Sequence, residues 1–240
     1  ASVCYFSRMA KYLVFAASSG IGQAVVEQLK EEGHEVLTTA RSAVRITADF
    51  AIDASDFDAV EHVFESAGEI DGVVNCAGSL LLKPSHLTTA GQFDEVMVAS
   101  LKTAFAVVRA AGKYMRGGGS VVLVSSAAAM AGYANHEAIA AAKAGIIGLM
   151  RAAAATYASS NLRFNAVAPG LTETPLTQQL TTNPAARKIS EAMHALGRIG
   201  SPEDIARAIC FLLDTRNSFI TGQVIAVDGG LSMVHPKVRP

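Results

Sequence analysis

The sequence predicts one doubly wound α/β domain, in which a parallel β-sheet carries helices on both faces. Short apolar runs alternate with longer helical patterns from Lys11 almost to the end of the 240 residues. These runs are nearly continuous in apolar residues, as expected of strands buried on both faces of a parallel sheet. Half of the residues are hydrophobic and 17% are charged, which supplies enough apolar material for one large core.

Seven strands are predicted from the apolar runs, at Tyr12–Ala16, Val36–Thr39, Ile46–Phe50, Gly72–Cys76, Ser120–Ser125, Phe164–Ala168 and Gln223–Val227. Five helices are predicted from apolar residues at the helical period, at Gly22–Glu32, Phe57–Ser66, Ala90–Met115, His136–Tyr157 and Pro202–Leu213. Pro202 suits a first helical turn, and Ser201 before it can cap that helix. The stretch from Arg41 to Asp53 is too short for a full crossover helix, so we expect a loop or a single turn there.

Charge and cysteine content exclude several classes of protein. The 20 Lys and Arg residues against 21 Asp and Glu residues give a net charge of −1, whereas a nucleic-acid or anionic-membrane binder shows a basic surplus. The three cysteines, Cys4, Cys76 and Cys210, fit neither a disulfide framework nor a zinc spacing. We therefore expect a cytoplasmic or other reduced compartment. The most apolar stretch, Ala138 to Met150, is interrupted by Lys143, so no membrane span is expected.

The domain is expected to cover residues 11–232, since no composition shift or internal repeat divides them. Residues 1–10 are interpreted as an N-terminal extension, added by cloning or left by processing. The first eight residues lack the apolar core of a secretory signal, and the sequence from Met9 resembles the beginning of a chain. Residues 233–240 are expected to form a C-terminal tail.

A candidate phosphate-binding loop follows the first predicted strand. That strand runs into Ala17–Gly22, with the sequence ASSGIG, and then into a helix. Glycines let the backbone approach a pyrophosphate, whose charge is stabilised at the helix N-terminus. An ordinary strand-to-helix turn is the alternative interpretation of this segment.

Several segments resemble the classical short-chain dehydrogenase/reductase family. Val14–Gly22 resembles its Thr-Gly-x-x-x-Gly-x-Gly opening, and Asn75–Gly78 resembles its Asn-Asn-Ala-Gly segment. Asn165–Gly170 with Thr174 is similar to its Pro-Gly-x-x-x-Thr loop. Gly197–Asp204 and Thr221–Gly230 are similar to two motifs near the C-terminal end of that family. The match runs in order from about Lys11 to Ser232 and implies a single-domain Rossmann fold and an oxidoreductase activity.

The resemblance implies a nicotinamide cofactor. The implied contacts are Ser18, Ser19, Gly20, Ile21, Gly22, Arg41, Asp53, Ala54, Asn75, Ala77, Gly78, Lys143, Pro169, Gly170, Thr172 and Thr174. One departure is Ala16, which stands where the first glycine of the family would be; Phe15 replaces its threonine. Because the later glycines are kept, we expect cofactor binding to be weakened but retained.

The end of the second strand predicts the choice of cofactor. An acid there would bind the adenosine ribose and select NAD, whereas an arginine accommodates the 2′-phosphate of NADP. The chain has Ala40 in the acid position and Arg41 after it, so the expected cofactor is NADP(H). A solvated Arg41 at the start of a loop is the alternative, as is a surface turn for Asp53.

The catalytic residues implied by the resemblance are incomplete. Lys143 matches the family lysine, and Ser126 matches the serine that contacts the reacting oxygen. The tyrosine position, four residues before Lys143, holds Ile139, and the asparagine position holds Ser100. An isoleucine can neither donate nor accept a proton, and losing a positioned general acid typically costs about 10²–10⁴-fold in rate.

His136 is the candidate substitute for the missing proton donor. It occupies the position from which enoyl reductases of the same superfamily place their active tyrosine, and residues 136, 139 and 143 share one predicted helix face. A histidine titrates near neutrality and can donate a proton. A helix-start histidine that faces solvent or a neighbouring subunit is the alternative, and Tyr133 in the preceding loop is a weaker candidate.

The resemblance also implies a lid, an assembly and two functions. The lid at about residues 171–200 is apolar, which predicts a small hydrophobic substrate or a lid packed on its own domain. The helices Ala90–Met115 and His136–Tyr157 are expected to form a homodimer or homotetramer. The first function is an NADP(H)-dependent oxidoreductase with a non-standard donor, acting on a hydrophobic carbonyl or conjugated enone. The alternatives are a non-catalytic NADP(H)-binding sensor or structural subunit, and a scaffold that has lost cofactor binding.

Overall fold

A computed structural model of the chain describes residues 9–42 and 47–236. It contains a seven-stranded parallel sheet with the strand order β3-β2-β1-β4-β5-β6-β7. The strands are β1 Lys11–Phe15, β2 Glu35–Ala40, β3 Phe50–Ala51, β4 Gly72–Asn75, β5 Gly119–Val124, β6 Leu162–Pro169 and β7 Val224–Val227. The predicted doubly wound Rossmann fold is confirmed.

Helices cover both faces of this sheet. They are α1 Gly20–Glu31, α2 Phe57–Ala67, α3 Ala90–Met97, α4 Thr103–Tyr114, α5 Glu137–Thr156, α6 Gln178–Thr181, α7 Pro184–Met193 and α8 Pro202–Leu213. The Ser201 hydroxyl accepts a hydrogen bond from the backbone N–H of Asp204 and caps α8, with Pro202 in its first turn as predicted.

Alternating side chains of each strand divide the core into two layers. On β1, Leu13 and Phe15 pack with α2, α4 and α5, whereas Tyr12 and Val14 pack with α1 and α8. Successive side chains of a strand point to opposite faces, so a strand with helices on both sides must be apolar throughout. This requirement explains the continuous apolar runs of the sequence.

Two predicted elements differ from the structure. The third strand is only Phe50–Ala51, and residues 43–46, including the predicted start at Ile46, lie outside the described residues. The helix predicted over Ala90–Met115 is not regular, because a π-helical segment, Val98–Lys102, separates α3 from α4. Single-turn π insertions often occur at functional sites, and the buried Ser100 lies in this one.

Helix α5 is long and apolar enough to cross a membrane by length and composition alone. Half of its most apolar window is buried inside the domain, where Ile146 and Met150 belong to the core beneath the sheet. The core helix of a folded domain passes the same test, so this helix is weak evidence of a membrane span. It is instead the element that carries Ile139 and Lys143.

Candidate functional site

A cleft of about 1150 Å³ opens at the carboxyl ends of β1, β4, β5 and β6. Ala16, Cys76, Ser125 and Gly170 each directly follow one of these strands and line the cleft. Chain order reverses in the sheet between β1 and β4, and open α/β sheets bind ligands at such a switch point. The cleft is therefore where this topology would bind a ligand.

The glycine-rich loop forms one end of the cleft. Ser19 caps α1, and its Oγ accepts a hydrogen bond from the N–H of Gly22 at 3.0 Å. A Cβ on Gly22 would lie 2.5 Å from the carbonyl oxygen of Ala16, so this close approach requires glycine. The amides of Gly20 and Ile21, in the first turn, have no acceptor within the helix. They can bind an anion at the positive end of α1.

Ala16 adopts a backbone conformation that normally favours glycine. Its φ angle is +54°, in the left-handed region that costs an L-residue with a Cβ roughly 1–2 kcal/mol. Its amide donates to Oγ1 of Thr39 at 3.3 Å, and its carbonyl accepts from the Ser19 amide at 3.0 Å. The loop thus keeps the turn that a glycine would make, with strain at one residue.

A basic side chain lies beside the same end of the cleft. Ala40 is buried at the end of β2, and the exposed Arg41 follows it on the cleft wall. Asp53 lines the cleft nearby and accepts a hydrogen bond from the amide of Ser55 at 2.8 Å. This hydrogen bond lowers the pKa of Asp53, and the Ser55 side chain and then the charges of Arg41 and Lys102 lower it further.

Lys143 is buried at the other end of the cleft, with 6% of its surface exposed. Its Nζ donates to the carbonyl of Val124 at 2.8 Å, and its own carbonyl accepts from Oγ of Ser125 at 2.9 Å. Burial lowers the pKa of this amine from 10.5 to about 8. A Cβ on Gly78 would lie 3.1 Å from Nζ, so the glycine leaves the amine room.

Ile139 and Ser126 line the same cleft as Lys143. Ile139 is one helical turn before the lysine and packs with Val96 and Ala142. Oγ of Ser126 accepts a hydrogen bond from the amide of Ala128 at 3.1 Å. The hydroxyl proton of Ser126 is therefore free to be donated to a ligand oxygen.

The rings of the two candidate substitute donors lie next to each other at the cleft, with their planes tilted by 58°. The rings of Tyr133 and His136 have centroids 5.6 Å apart, and both residues line the cleft. Nδ1 of His136 is 2.8 Å from the carbonyl of Ala134 and must carry a proton, because a carbonyl only accepts. Tyr133 donates its hydroxyl proton to the carbonyl of Leu231 at 3.0 Å, and burial raises its pKa. Because the Tyr133 proton is engaged, Nε2 of His136 is the more available group, and it donates when the ring carries a proton on both nitrogens.

Helix α5 begins at Glu137, so His136 precedes it as the N-cap residue. The prediction that His136 shares one helix face with Ile139 and Lys143 is therefore wrong, because His136 is not a residue of the helix. The three residues nevertheless line the same cleft.

Most of the predicted cofactor contacts line this one cleft: Ser18, Ser19, Gly20, Ile21, Arg41, Asp53, Ala54, Ala77, Gly78, Lys143, Pro169, Gly170, Thr172 and Thr174. Gly22, in the first turn of α1, is not among the residues that line the cleft. Asn75 is buried, donates to Oγ1 of Thr103 at 3.2 Å and accepts from the amide of Ala77 at 3.0 Å. Its side chain therefore holds the strand end against α4.

Three buried side-chain atoms have no hydrogen-bond partner within the described residues, namely Oγ of Ser79, Oγ of Ser100 and Nε2 of His194. Ser79 and His194 line the cleft, and Ser100 lies beside the cleft residue Gly78. Buried polar atoms are normally paired, so their concentration here indicates that the cleft receives a polar ligand. No motif pointed to Ser79 or His194, because only the packing of the lid and strand ends buries them.

These features define a Rossmann-type nucleotide-binding protein: a doubly wound sheet, a glycine loop at the first helix and a cleft at the switch point. A family model described as Enoyl-(Acyl carrier protein) reductase matches residues 15–232. The chain belongs to the short-chain dehydrogenase/reductase family, whose members are oxidoreductases that use nicotinamide cofactors.

Individual relatives extend this likeness over nearly the whole chain. The 3-oxoacyl-(acyl-carrier-protein) reductase FabG of Thermotoga maritima is 34% identical over 242 residues, which cover 91% of this chain and 96% of that protein. The ligand-free aldohexose dehydrogenase AldT of Thermoplasma acidophilum superposes with a TM-score of 0.88 at 30% identity, covering 97% of this chain and 98% of AldT. ElxO with NADP bound superposes with a TM-score of 0.86 at 25% identity, covering 93% and 98% of the two chains.

Proposed function

We propose that this protein is an NADP(H)-dependent oxidoreductase that acts on a hydrophobic carbonyl or conjugated enone with a donor other than tyrosine. The observation that carries the proposal is the single cleft, which joins the glycine loop and Arg41 to the buried Lys143 and Ser126. The unpartnered polar atoms beside it fit a bound polar ligand.

The cofactor would be held from its phosphates to its nicotinamide ribose by residues of this cleft. The amides at the start of α1 would bind the pyrophosphate, and Arg41 the 2′-phosphate of the adenosine ribose. Ala40 presents a methyl group in place of a ribose-binding acid, which favours NADP(H) over NAD. ElxO, a structural relative, is known with NADP bound.

When bound, the cofactor supplies a hydride to the substrate carbon or accepts one from it. Lys143 would hold the nicotinamide ribose, as the family resemblance implies, from a position fixed by Val124 at the end of β5 and by Ser125 directly after it. Ser126 would donate its hydroxyl proton in a hydrogen bond to the substrate oxygen, because its Oγ already accepts from the backbone.

His136 is the proposed proton donor. Its Nδ1–H is committed to Ala134, so the protonated ring presents Nε2–H to the cleft. Ile139 occupies the family tyrosine position and Ser100 the asparagine position, so neither can perform the usual proton relay. The ordinary reduction of simple ketones is therefore expected to be slow.

The proposal includes a lid that covers the substrate and an assembly of identical subunits. Leu176, Leu180 and Met193 of the lid line the cleft and favour a hydrophobic substrate. A homodimer or homotetramer would cover the exposed Phe93 and Phe105 of the helix pair. Cys76 and Cys210 are buried free thiols, which is consistent with a reduced compartment.

Two measurements test this function. Fluorescence titration should give tighter binding of NADPH than of NADH, and turnover should appear on a panel of hydrophobic ketones and enones. His136→Phe should depress turnover while leaving NADPH binding unchanged, whereas Tyr133→Phe should have the smaller effect. NADPH binding without turnover would favour a non-catalytic role, and the absence of binding would refute the proposal.

A further inference from the structure

The amine of Lys143 is a buried nucleophile whose reactivity the oxidoreductase role does not use. Among the described residues its one hydrogen-bond acceptor is the carbonyl of Val124, and no carboxylate contributes to its electrostatics. An ammonium has three donors, so a cation held by one carbonyl is poorly satisfied. The site therefore favours the neutral amine more than an exposed lysine would.

The surroundings of Lys143 provide no anion to pair with its ammonium form, and they leave the amine reachable from the cleft. Ile139 and Ala142 on α5 are buried and apolar. Burial raises the pKa of the Cys76 thiol to about 12, so it provides no thiolate to pair with an ammonium. Gly78 leaves the space in front of Nζ, and Lys143 lines the cleft.

We propose that Lys143, in the cofactor-free protein, captures apolar aldehydes and ketones covalently as imines. The nitrogen lone pair attacks the carbonyl carbon and a C–N bond forms. The nitrogen of the neutral amine loses its two protons, the carbonyl oxygen takes up two, and the C–O bond breaks as the oxygen leaves as water. The step is a condensation without oxidation or reduction, and hydrolysis reverses it.

Selectivity for Lys143 over surface lysines follows from its protonation. With a pKa of about 8, roughly half of this amine is neutral at pH 8, whereas less than about 1% of an ordinary lysine is neutral. Desolvation in an apolar pocket is one way in which proteins activate lysine nucleophiles. We expect Lys143 to react at least about tenfold faster than exposed lysines such as Lys30 and Lys188.

The test is reductive trapping on the full chain. The protein, freed of NADPH, is incubated at pH 8 with limiting benzaldehyde and sodium cyanoborohydride, which delivers a hydride to the imine carbon and fixes the adduct as a secondary amine. Peptide mapping by mass spectrometry then gives the initial rate at each lysine and separates these sites from the amino terminus. Lys143→Arg keeps the charge and should lose only the adduct at that position.

A matched pair of variants tests the reason for the reactivity. Ile139→Glu would place a carboxylate four residues before Lys143, in the orientation that pairs best along a helix, and should slow labelling about tenfold or more. Ile139→Gln has a similar shape without the charge and should stay within about threefold of the natural rate. Circular dichroism and thermal unfolding check that both variants fold.

The outcomes separate this inference from the proposed function. Labelling of Lys143 no faster than of Lys30, in a folded protein, would overturn the inference even if NADPH binds and is oxidised. Fast labelling that NADPH does not suppress supports the inference but contradicts the proposed contact between Lys143 and the cofactor. Fast labelling that NADPH suppresses supports both.

Discussion

Replacing Lys143 by Met should make the protein more stable at neutral pH. Burial lowers the pKa of this amine from 10.5 to about 8, and each pKa unit corresponds to about 1.4 kcal/mol. The buried charge therefore costs about 3 kcal/mol below pH 8. Met fills a similar volume, but it leaves the carbonyl of Val124 without this donor, which offsets about 1 kcal/mol. The expected net gain is about 2 kcal/mol.

The gain must depend on pH in a defined direction. The unfolded chain keeps the lysine proton up to about pH 10.5, whereas the folded protein loses it near pH 8. Between these values the unfolded state binds more protons, so the natural protein becomes more stable as pH rises. The advantage of Lys143→Met is therefore full below pH 8 and is lost before pH 10.5, above which the variant is less stable by the hydrogen bond to Val124, about 1 kcal/mol.

Urea unfolding of both proteins from pH 6 to pH 10 measures this difference. The exposed lysine Lys30 provides the control, because Lys30→Met should change stability by less than about 0.5 kcal/mol at every pH. A Lys143→Met protein that is less stable at pH 7, or whose advantage does not shrink above pH 8, would refute the reasoning.

The other predictions concern the two ends of the cleft. Ile139→Tyr should raise NADPH-dependent reduction of a small activated ketone about tenfold or more over Ile139→Phe, a modest part of a general acid's usual contribution; equal rates in two folded, NADPH-binding variants would show that the inferred geometry is wrong. Arg41→Ala should weaken NADPH binding about tenfold or more and NADH binding little, as titrations would measure; the exposed Arg151 provides the matched control, and an unchanged preference counts against Arg41. Gly22→Ala should lower the free energy of unfolding by about 1–3 kcal/mol in urea, because its Cβ would meet the carbonyl of Ala16; full stability would contradict the close approach. Ala16→Gly relieves the positive φ and should tighten NADPH binding, which the same titration measures; weaker binding would contradict the strain argument.

The alternation of apolar runs and helical patterns was sufficient to predict the fold. Strand β5, for example, is predicted at Ser120–Ser125 and observed at Gly119–Val124, because a strand between two helical layers must be apolar on both faces. The glycine loop could also be predicted from the sequence, because close approaches at Gly20 and Gly22 leave no room for a side chain at these two positions. Such local constraints leave a mark on the sequence.

The remaining features depend on long-range packing. The π-helical segment around Ser100 inserts into an otherwise helical pattern, and the 3.6-residue period does not reveal it. His136 precedes α5 as its N-cap residue, a boundary that the apolar spacing does not mark. The sequence did not indicate His194 as a site residue. Its side chain is buried where the end of α7 contacts Gly170, which is distant in sequence. Side-chain burial of this kind has no local signature.

Two independent measurements must agree if the buried amine of Lys143 has the environment described. The stability advantage of Lys143→Met begins to fall where the folded protein loses the lysine proton, near pH 8. The rate of imine formation should rise with the neutral amine and reach half of its plateau at the same pH, because both properties follow one titration. A labelling midpoint near that of ordinary lysines, together with a stability advantage that begins to fall near pH 8, would mean that the aldehyde reacts with a locally opened form. Agreement of the labelling midpoint with the pH at which the stability advantage begins to fall would instead assign both properties to the desolvated amine of the folded protein.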